Sequence, residues 1–335
     1  MNTKMIRYIL CRMLGVESVL LMIPVIVAAL YQEMSGIAFL IPAGILLLLF
    51  FLAGVKKPEQ SHIYGKEGMV IVALAWILWS LFGAMPFTIS GFIPNYMDAF
   101  FETVSGFTTT GSSILSNVEE LSKSSLFWRS FTHWLGGMGI IMIVLAIMSS
   151  NDSRTMHMMR AECPGPKVGR LVSKSGNSAR ILYGIYIALT VIEIIMLLCG
   201  GLSFYDAVVH TFSSAGTGGF SIYGNSIAHY NSLYVEMVIA VFIIIFGVNF
   251  NLYYYLLIRR FSMVFKNEEL RTYLGIILTA TLLISFNIRN MYSGFLEALR
   301  YSFFMTASTI TSTGFSVIDT NTWPVFSQTL LLTLM

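Results

Sequence analysis

The stretch DAFFETVSGFTTTGSS, residues 98–113, decides the fold because two related stretches follow it in the chain. DAVVHTFSSAGTGGFS (206–221) and YSFFMTASTITSTGFS (301–316) align with it on a glycine. In each, an apolar segment of about 10 residues, too short to cross a bilayer, leads into a loop of Thr, Ser and Gly. Four aligned positions hold identical residues: Thr103, Thr211 and Thr306; Ser105, Ser213 and Ser308; Gly111, Gly219 and Gly314; Ser113, Ser221 and Ser316. The chain therefore contains an internal repeat.

The composition is that of a membrane protein. The 335 residues are 56% hydrophobic and 11% charged, with a mean hydropathy of +0.75, which is far more apolar than a soluble domain. Apolar windows of bilayer-crossing length predict seven complete spans and the start of an eighth. The windows are 8–30, 36–55, 69–90, 127–149, 181–202, 233–258, 272–288 and a last one from Trp323 to Met335.

The basic residues predict the orientation of these spans, because Lys and Arg mark cytoplasmic loops. In this arrangement 16 of the 20 Lys and Arg residues fall on one side, together with the N-terminus. They lie in the first 12 residues and in the loops around 56–66, 154–180 and 259–271. The sequence therefore predicts a cytoplasmic N-terminus.

The short apolar segments and the spans together form a unit of span, re-entrant helix, polar loop and span. The units divide the chain into an extra N-terminal two-helix unit (1–60), pore repeat 1 (61–150), pore repeat 2 (151–262) and an incomplete pore repeat 3 (263–335). Irregular backbone at membrane depth is tolerated where it is buried in protein or lines a wet cavity. The polar loops are thus expected to line such a cavity.

The loops have the chemistry of a cation site. Backbone carbonyls can replace the hydration shell of an alkali ion, and glycine permits the positive φ angles that direct successive carbonyls to one side. Thr and Ser add uncharged hydroxyl oxygens. Each re-entrant helix ends at its loop, so the negative end of the helix dipole would favour a cation there.

Several stretches resemble the Trk/Ktr/HKT superfamily of potassium transporters, most closely its TrkH-type subunits: FFETVSGFTTTGSS, THWLGGMGIIMIVLAIM (132–148), RAECPGP (160–166) and GTGGFS (216–221). The resemblance spans essentially the whole chain. It implies an all-α membrane fold with two extra N-terminal helices and four pore repeats in pseudo-fourfold arrangement around one cation pore. Only three repeats are found here, so the sequence is expected to be a C-terminally truncated piece of a longer protein.

The resemblance also implies potassium uptake across the bacterial inner membrane, without enzymatic activity. Some relatives that pass Na⁺ carry serine at the first filter glycine, whereas this chain has glycine in all three repeats, which favours K⁺. The filter residues that the resemblance assigns are Thr109, Thr110 and Gly111; Thr217, Gly218 and Gly219; and Ser312, Thr313 and Gly314.

The expected partners are likewise implied by the family. They are a second copy of the chain in a homodimer and a cytosolic nucleotide-binding regulatory subunit of the TrkA type, for which the basic loop 150–180 offers a docking surface. No GxGxxG motif or P-loop occurs, so no cofactor is expected in this chain. K⁺ is expected as the transported ion, and no nucleic acid as a partner.

Two alternatives remain open at the level of sequence. An intramembrane enzyme could use polar re-entrant loops, but no loop pairs a nucleophile with a His or Lys base and no HExxH motif occurs. Another transporter, for Na⁺ or a solute, could use inverted repeats. Here all repeats begin on the same side, which favours a ring around an axis normal to the membrane.

Several other polar residues allow more than one interpretation. Glu193, in the middle of a span, is either a structural hydrogen-bonded carboxyl or a proton-coupling group. Asp98, Glu102 and Asp206 are expected to cap helix N-termini or, less simply, to attract cations. His133 and His210 are expected to pack rather than to bind metal, and small residues at 136, 137 and 139 are expected at a helix contact.

Overall fold

The computed structural model describes residues 2–58, 65–139 and 175–335, and its regular elements there are helices. The chain forms two compact units. The first comprises Met1–Thr108 and Ser112–Gly184, and the second comprises Thr109–Gly111 and Ile185–Met335. The predicted all-helical fold class is therefore confirmed.

The first unit begins with long apolar helices and ends with a short helix and its partner. Helix α3 continues into a π-helical turn at Phe50–Gly54. The helices are α1 (Thr3–Leu20), α2 (Met22–Leu30), α3 (Gly36–Leu49), α4 (Gly65–Ile89), α5 (Tyr96–Phe107) and α6 (Lys123–Gly137).

Aromatic side chains fill the core of the first unit around α5. The indole N–H of Trp128 donates to the Gly83 carbonyl oxygen at 2.9 Å. Its ring meets the rings of Phe39 and Phe107 edge to face, with centroids 6.3 and 6.0 Å apart. A glycine at position 83 lets α4 lie this close to α5, because an added Cβ would stand only 3.0 Å from Thr103 and Phe107. The short helix α5 is thus fixed between α4 and α6.

Helix α7 (Ser175–Cys199) leads into the second unit, which repeats the order of a short helix, a polar loop and further helices. An intervening segment, Ser226–Tyr230, is a 3₁₀ helix. The remaining helices are α8 (Phe204–Ala215), α9 (Leu233–Gly247), α10 (Phe250–Leu257), α11 (Phe261–Phe265), α12 (Glu268–Ile288), α13 (Phe295–Ile310) and α14 (Val325–Leu334).

Most predicted spans correspond to long apolar helices. Within the described residues, five helical segments are long and apolar enough to cross a membrane: Thr3–Leu30, Gly36–Gly54, Lys66–Ile89, Arg180–Cys199 and Glu268–Met291. The fourth predicted span, 127–149, is described only through α6, and residues 140–149 lie outside the described part of the chain. The fold is therefore that of a multi-pass helical membrane protein.

The span predicted over 233–258 differs from a single straight helix. It breaks after Gly247, and its two parts, α9 and α10, meet at an angle of 90°. Asn249 causes the second helix to begin there, because its side chain accepts a hydrogen bond from the amide of Asn251 at 3.1 Å. Apolar periodicity alone did not show this break, since the residues on both sides are equally hydrophobic.

We predict that Gly83→Val destabilises the first unit, because two methyl groups would be forced against Thr103 and Phe107. Overpacking of this kind costs about 1–3 kcal/mol. The matched control is Gly44→Val in α3, where an added Cβ meets nothing within 4 Å. Thermal unfolding of the purified variants in detergent measures the difference. Equal melting temperatures for the two variants would contradict the described α4–α5 contact.

Candidate functional site

Each aligned repeat stretch forms a short helix that ends at a polar loop, as the sequence predicted. The helices are α5, α8 and α13. The loops are loop 1 (Thr109–Gly111), loop 2 (217–219) and loop 3 (312–314), and all three belong to the second unit. The structure therefore brings the nine predicted filter residues into one compact unit.

The short helices begin at polar caps. Asn95 accepts from the Met97 amide at 3.0 Å to start α5, and Ser203 accepts from the Asp206 amide at 3.1 Å to start α8. Asp98 lies in the first turn of α5 and Asp206 in that of α8, where a negative charge interacts favourably with the helix dipole. The capping prediction for Glu102 was wrong, because Glu102 lies in the second half of α5 and contacts the chain after loop 1.

The same pattern of backbone hydrogen bonds joins loops 2 and 3 to the ends of their helices. In loop 2 the Thr217 amide donates to Ser214 O at 3.0 Å, and the Gly218 amide donates to Ser213 O at 2.9 Å. In loop 3 the amides of residues 312 and 313 donate to the carbonyls of residues 309 and 308 at 2.9 and 2.8 Å. The last carbonyls of both helices are thus partly used to hold the loop backbone.

The backbone of the three loops has the same unusual conformation. The first residue of each loop has a positive φ although it is not glycine: 54° at Thr109, 51° at Thr217 and 52° at Ser312. The third residue is a glycine with φ of 77°, 77° and 86° in loops 1, 2 and 3. Left-handed conformations in Thr are uncommon and strained, and they persist only where the surroundings fix them. Their repetition three times indicates a backbone shape held for a function.

The loops approach each other through these glycines. A Cβ added to Gly111 would overlap the carbonyl oxygen of Gly218, and one added to Gly219 would overlap the carbonyl oxygen of Thr313. Loop 1 thus lies against loop 2, and loop 2 against loop 3. A Cβ on Gly314 would meet no atom of the described residues within 4 Å. Backbone carbonyls are therefore placed beside one another without intervening side chains.

Hydroxyl groups in loop 3 and at the end of α13 make hydrogen bonds inside the protein. The hydroxyls of Thr311 and Thr313 lie 2.7 Å apart, and the Ser308 hydroxyl donates to Phe315 O at 2.7 Å. Thr313 is 1% exposed. The hydroxyls of these residues therefore hold the backbone around loop 3 in place.

In the first unit, a buried carboxylate fixes the chain that follows loop 1. Glu102 accepts from the Ser113 hydroxyl at 3.0 Å and from the Ile114 amide at 3.1 Å. Its charge is balanced by the Arg129 guanidinium of α6, whose Nε lies 2.5 Å away. Both side chains are nearly inaccessible to solvent. The sequence pattern did not predict this ion pair. The alignment of Glu102 with His210 was a signal, because it places a polar side chain at the same position in two repeats.

The second unit repeats this contact with different chemistry. His210, at the position of Glu102, lies with Nε2 3.1 Å from the hydroxyl of Ser221, the counterpart of Ser113. The other ring nitrogen, Nδ1, lies 2.9 Å from the Asp206 carbonyl oxygen and therefore carries the proton. Both ring nitrogens of His210 thus make hydrogen bonds within the protein. The described residues hold no group of three or more potential metal ligands.

The third repeat has an apolar residue, Met305, at this position. The chain after loop 3 is instead held by residues that follow loop 2. The Ser316 amide donates to the Ser226 hydroxyl at 3.2 Å, and its carbonyl accepts from the Ile227 amide at 3.1 Å. The segment after loop 2 thus replaces the missing side-chain contact. The three repeats share a backbone but hold it by three different means.

Comparison with known proteins identifies the family of this chain. The family described as TrkH, cation transport protein, matches residues 40–335. The chain belongs to the TrkH family. A crystal structure of the potassium transporter TrkH from Vibrio parahaemolyticus matches with a TM-score of 0.86 and 28% identity, over 100% of this chain and 70% of that chain. This family is a transport family, so the enzyme alternative is set aside.

The relatives in this family are longer than this chain. Trk system potassium uptake protein TrkH of Escherichia coli K12 is 34% identical over 321 residues, which are 93% of this chain and 66% of the relative. The TrkH protein of Halomonas elongata is 31% identical over 97% of this chain and 68% of its own length. The chain thus spans about two thirds of the length of these TrkH relatives.

We predict that Arg129→Leu destabilises the protein strongly, because it leaves the Glu102 carboxylate buried without this counter-charge. Loss of one partner of a buried ion pair costs about 3–5 kcal/mol. The double variant Glu102→Gln/Arg129→Leu removes the charge as well and should recover much of the loss. Thermal unfolding in detergent measures both, and a double variant no more stable than Arg129→Leu would contradict the pairing.

Proposed function

We propose that the chain mediates potassium uptake across the bacterial inner membrane through a selectivity filter formed by loops 1, 2 and 3. The observation that carries the proposal is the mutual approach of the three loops through Gly111 and Gly219, which places bare carbonyls side by side. The similarity to proteins named as Trk system potassium uptake proteins supports K⁺ as the ion.

The filter residues are proposed to be Thr109, Thr110 and Gly111; Thr217, Gly218 and Gly219; and Ser312, Thr313 and Gly314. Backbone carbonyls of these residues replace water around the dehydrated ion. Because the loops carry dipoles and no charged side chains, the ion is held weakly enough to leave again. The C-terminal ends of α5, α8 and α13 point their negative dipole ends at the loops and lower the energy of a cation there.

A pseudo-fourfold pore explains the direction of the loop contacts. Loop 1 meets loop 2 through Gly111, and loop 2 meets loop 3 through Gly219, while space remains beside Gly314. We propose that a fourth loop of the family pattern meets this open side. The pore repeats 61–150, 151–262 and 263–335 each supply one wall, and residues 1–60 form an additional helical unit.

Glycine at all three filter positions supports K⁺ over Na⁺. The contact of Gly111 with the Gly218 carbonyl leaves no room for a serine side chain without moving that oxygen. Displaced carbonyls would change the number and distance of the ligands on which selectivity depends. The backbone contact and the selectivity are thus proposed to have the same cause.

The membrane arrangement and partners are part of the proposal. A cytoplasmic N-terminus is supported by the 16 of 20 Lys and Arg residues that fall on its side. We propose that the chain forms a homodimer and works with a cytosolic nucleotide-binding subunit of the TrkA type, as the family resemblance implies. The words Trk system in the names of the relatives support an assembly of several components. The proposed docking surface for this subunit, the basic loop 150–180, lies almost wholly outside the described residues.

We predict that Gly219→Ala in the complete gene product lowers K⁺ uptake at least about tenfold, because the new methyl group displaces the Thr313 carbonyl and the residue resists a positive φ. The matched control is Gly224→Ala, five positions along the same chain, where an added Cβ meets nothing within 4 Å. Growth of a K⁺-uptake-deficient bacterium in low-K⁺ medium, with immunoblots for protein amount, measures both. Normal uptake by Gly219→Ala would refute the filter assignment.

We predict opposite accessibility for two loops of the membrane protein. With Cys11, Cys163 and Cys199 replaced by Ser, Asn117→Cys should react with a membrane-impermeant maleimide in intact cells. Lys266→Cys should react only after the membrane is permeabilised, because basic loops stay in the cytoplasm. The reverse pattern would invert the proposed orientation.

A further inference from the structure

Glu193 is a buried carboxyl group that the proposed ion path does not use. It lies in α7 with no solvent exposure. One oxygen, Oε1, lies 2.5 Å from the hydroxyl oxygen of Ser214, and the other, Oε2, has no hydrogen-bond partner among the described residues. Neither ion pair found among the described residues, Arg129–Glu102 or Arg300–Glu236, involves Glu193.

The geometry around Ser214 indicates that the Glu193 carboxyl is neutral. The Ser214 hydroxyl oxygen lies 2.5 Å from Glu193 Oε1 and 3.1 Å from the Thr211 carbonyl oxygen. A hydroxyl has one proton, and a carbonyl oxygen cannot supply another. Both contacts are satisfied together when the carboxyl carries a proton of its own. No described residue supplies a positive charge to Glu193, and a buried carboxylate without a counter-charge is strongly unfavourable.

Ser214 connects this carboxyl to loop 2. It lies in the last turn of α8, and its carbonyl oxygen accepts from the Thr217 amide at 3.0 Å. Thr217 is the strained left-handed residue that opens loop 2, and the following Gly218 carbonyl is the one that lies against Gly111. A displacement of Ser214 would therefore move the carbonyl at the contact between loops 1 and 2.

The other repeats lack this arrangement at the aligned position. Repeat 1 has Gly106 where repeat 2 has Ser214, and repeat 3 has Thr309, whose hydroxyl donates to Met305 O of its own helix at 2.7 Å. The side chain at this position is thus tied to another helix through a carboxyl only in repeat 2. A general requirement of helix packing would not single out one repeat.

We propose that Glu193 is a positioning residue for loop 2: its neutral carboxyl holds Ser214 and the end of α8, and thereby sets the discrimination between K⁺ and Na⁺. This inference rests on the proposed function of the loops. It assigns Glu193 no contact with the ion and no transfer of protons during transport. The role is to keep the Gly218 carbonyl beside Gly111.

The test compares variants of the complete gene product in proteoliposomes, with K⁺ and Na⁺ uptake measured separately. Glu193→Gln keeps a neutral side chain with a donor and an acceptor, so the K⁺/Na⁺ uptake ratio should stay within about twofold of the unaltered protein. Glu193→Leu and Ser214→Ala each break the contact and should lower the ratio about tenfold. The double variant should lower it no further than either single change, because both remove the same contact.

The control is Ile192→Ala, on the exposed side of α7, which should leave the ratio unchanged. A normal ratio in folded Ser214→Ala would overturn the proposal even if Glu193→Leu fails to fold. A collapsed ratio in Glu193→Gln would overturn the neutral form. Failure of the unaltered protein and of Ile192→Ala to transport K⁺ would instead refute the proposed function, so the two failures are distinguishable.

Discussion

The close approach of loop backbones is the constraint on which the rest of the candidate site depends. Gly111 and Gly219 each lie where a single methyl group would overlap a carbonyl oxygen of the next loop. Such contacts require that three separate segments of the chain come together with their backbones in direct contact. The short helices α5, α8 and α13 make this possible, because each ends directly at its loop and is itself packed among longer helices.

The loops begin alike but are fastened differently where they end. In each repeat a different group holds the serine two residues after the loop glycine. This group is Glu102, paired with Arg129, in repeat 1, His210 in repeat 2 and the Ser226 hydroxyl in repeat 3. An ion pair, an imidazole and a serine hydroxyl can each hold this position because the requirement is geometric. The repeat therefore preserves backbone shape while its buried side chains differ in charge.

The sequence pattern was enough to predict the long helices and the three polar loops. Apolar windows predicted the long helices, and the aligned Thr, Ser and Gly residues predicted three loops of equal conformation. Pattern could not predict the break at Asn249, because its capping contact involves a single side chain in an apolar segment. It also missed the pairing of Glu102 with Arg129, which depends on the packing of α5 against α6 rather than on spacing. Reading Glu102 as a cap followed from its place near the start of the apolar segment.

Charge is distributed so that the loops need none of their own. The buried acids that the structure pairs, Glu102 with Arg129 and Glu236 with Arg300, are neutralised within their own units. Glu193 has no such partner among the described residues, and its contact with Ser214 fits an uncharged carboxyl group. An unbalanced carboxylate beside the loops would bind a cation too strongly for rapid release, whereas carbonyl dipoles bind it only as strongly as its lost hydration requires. A neutral Glu193 therefore stabilises the loop without becoming a trap for the ion.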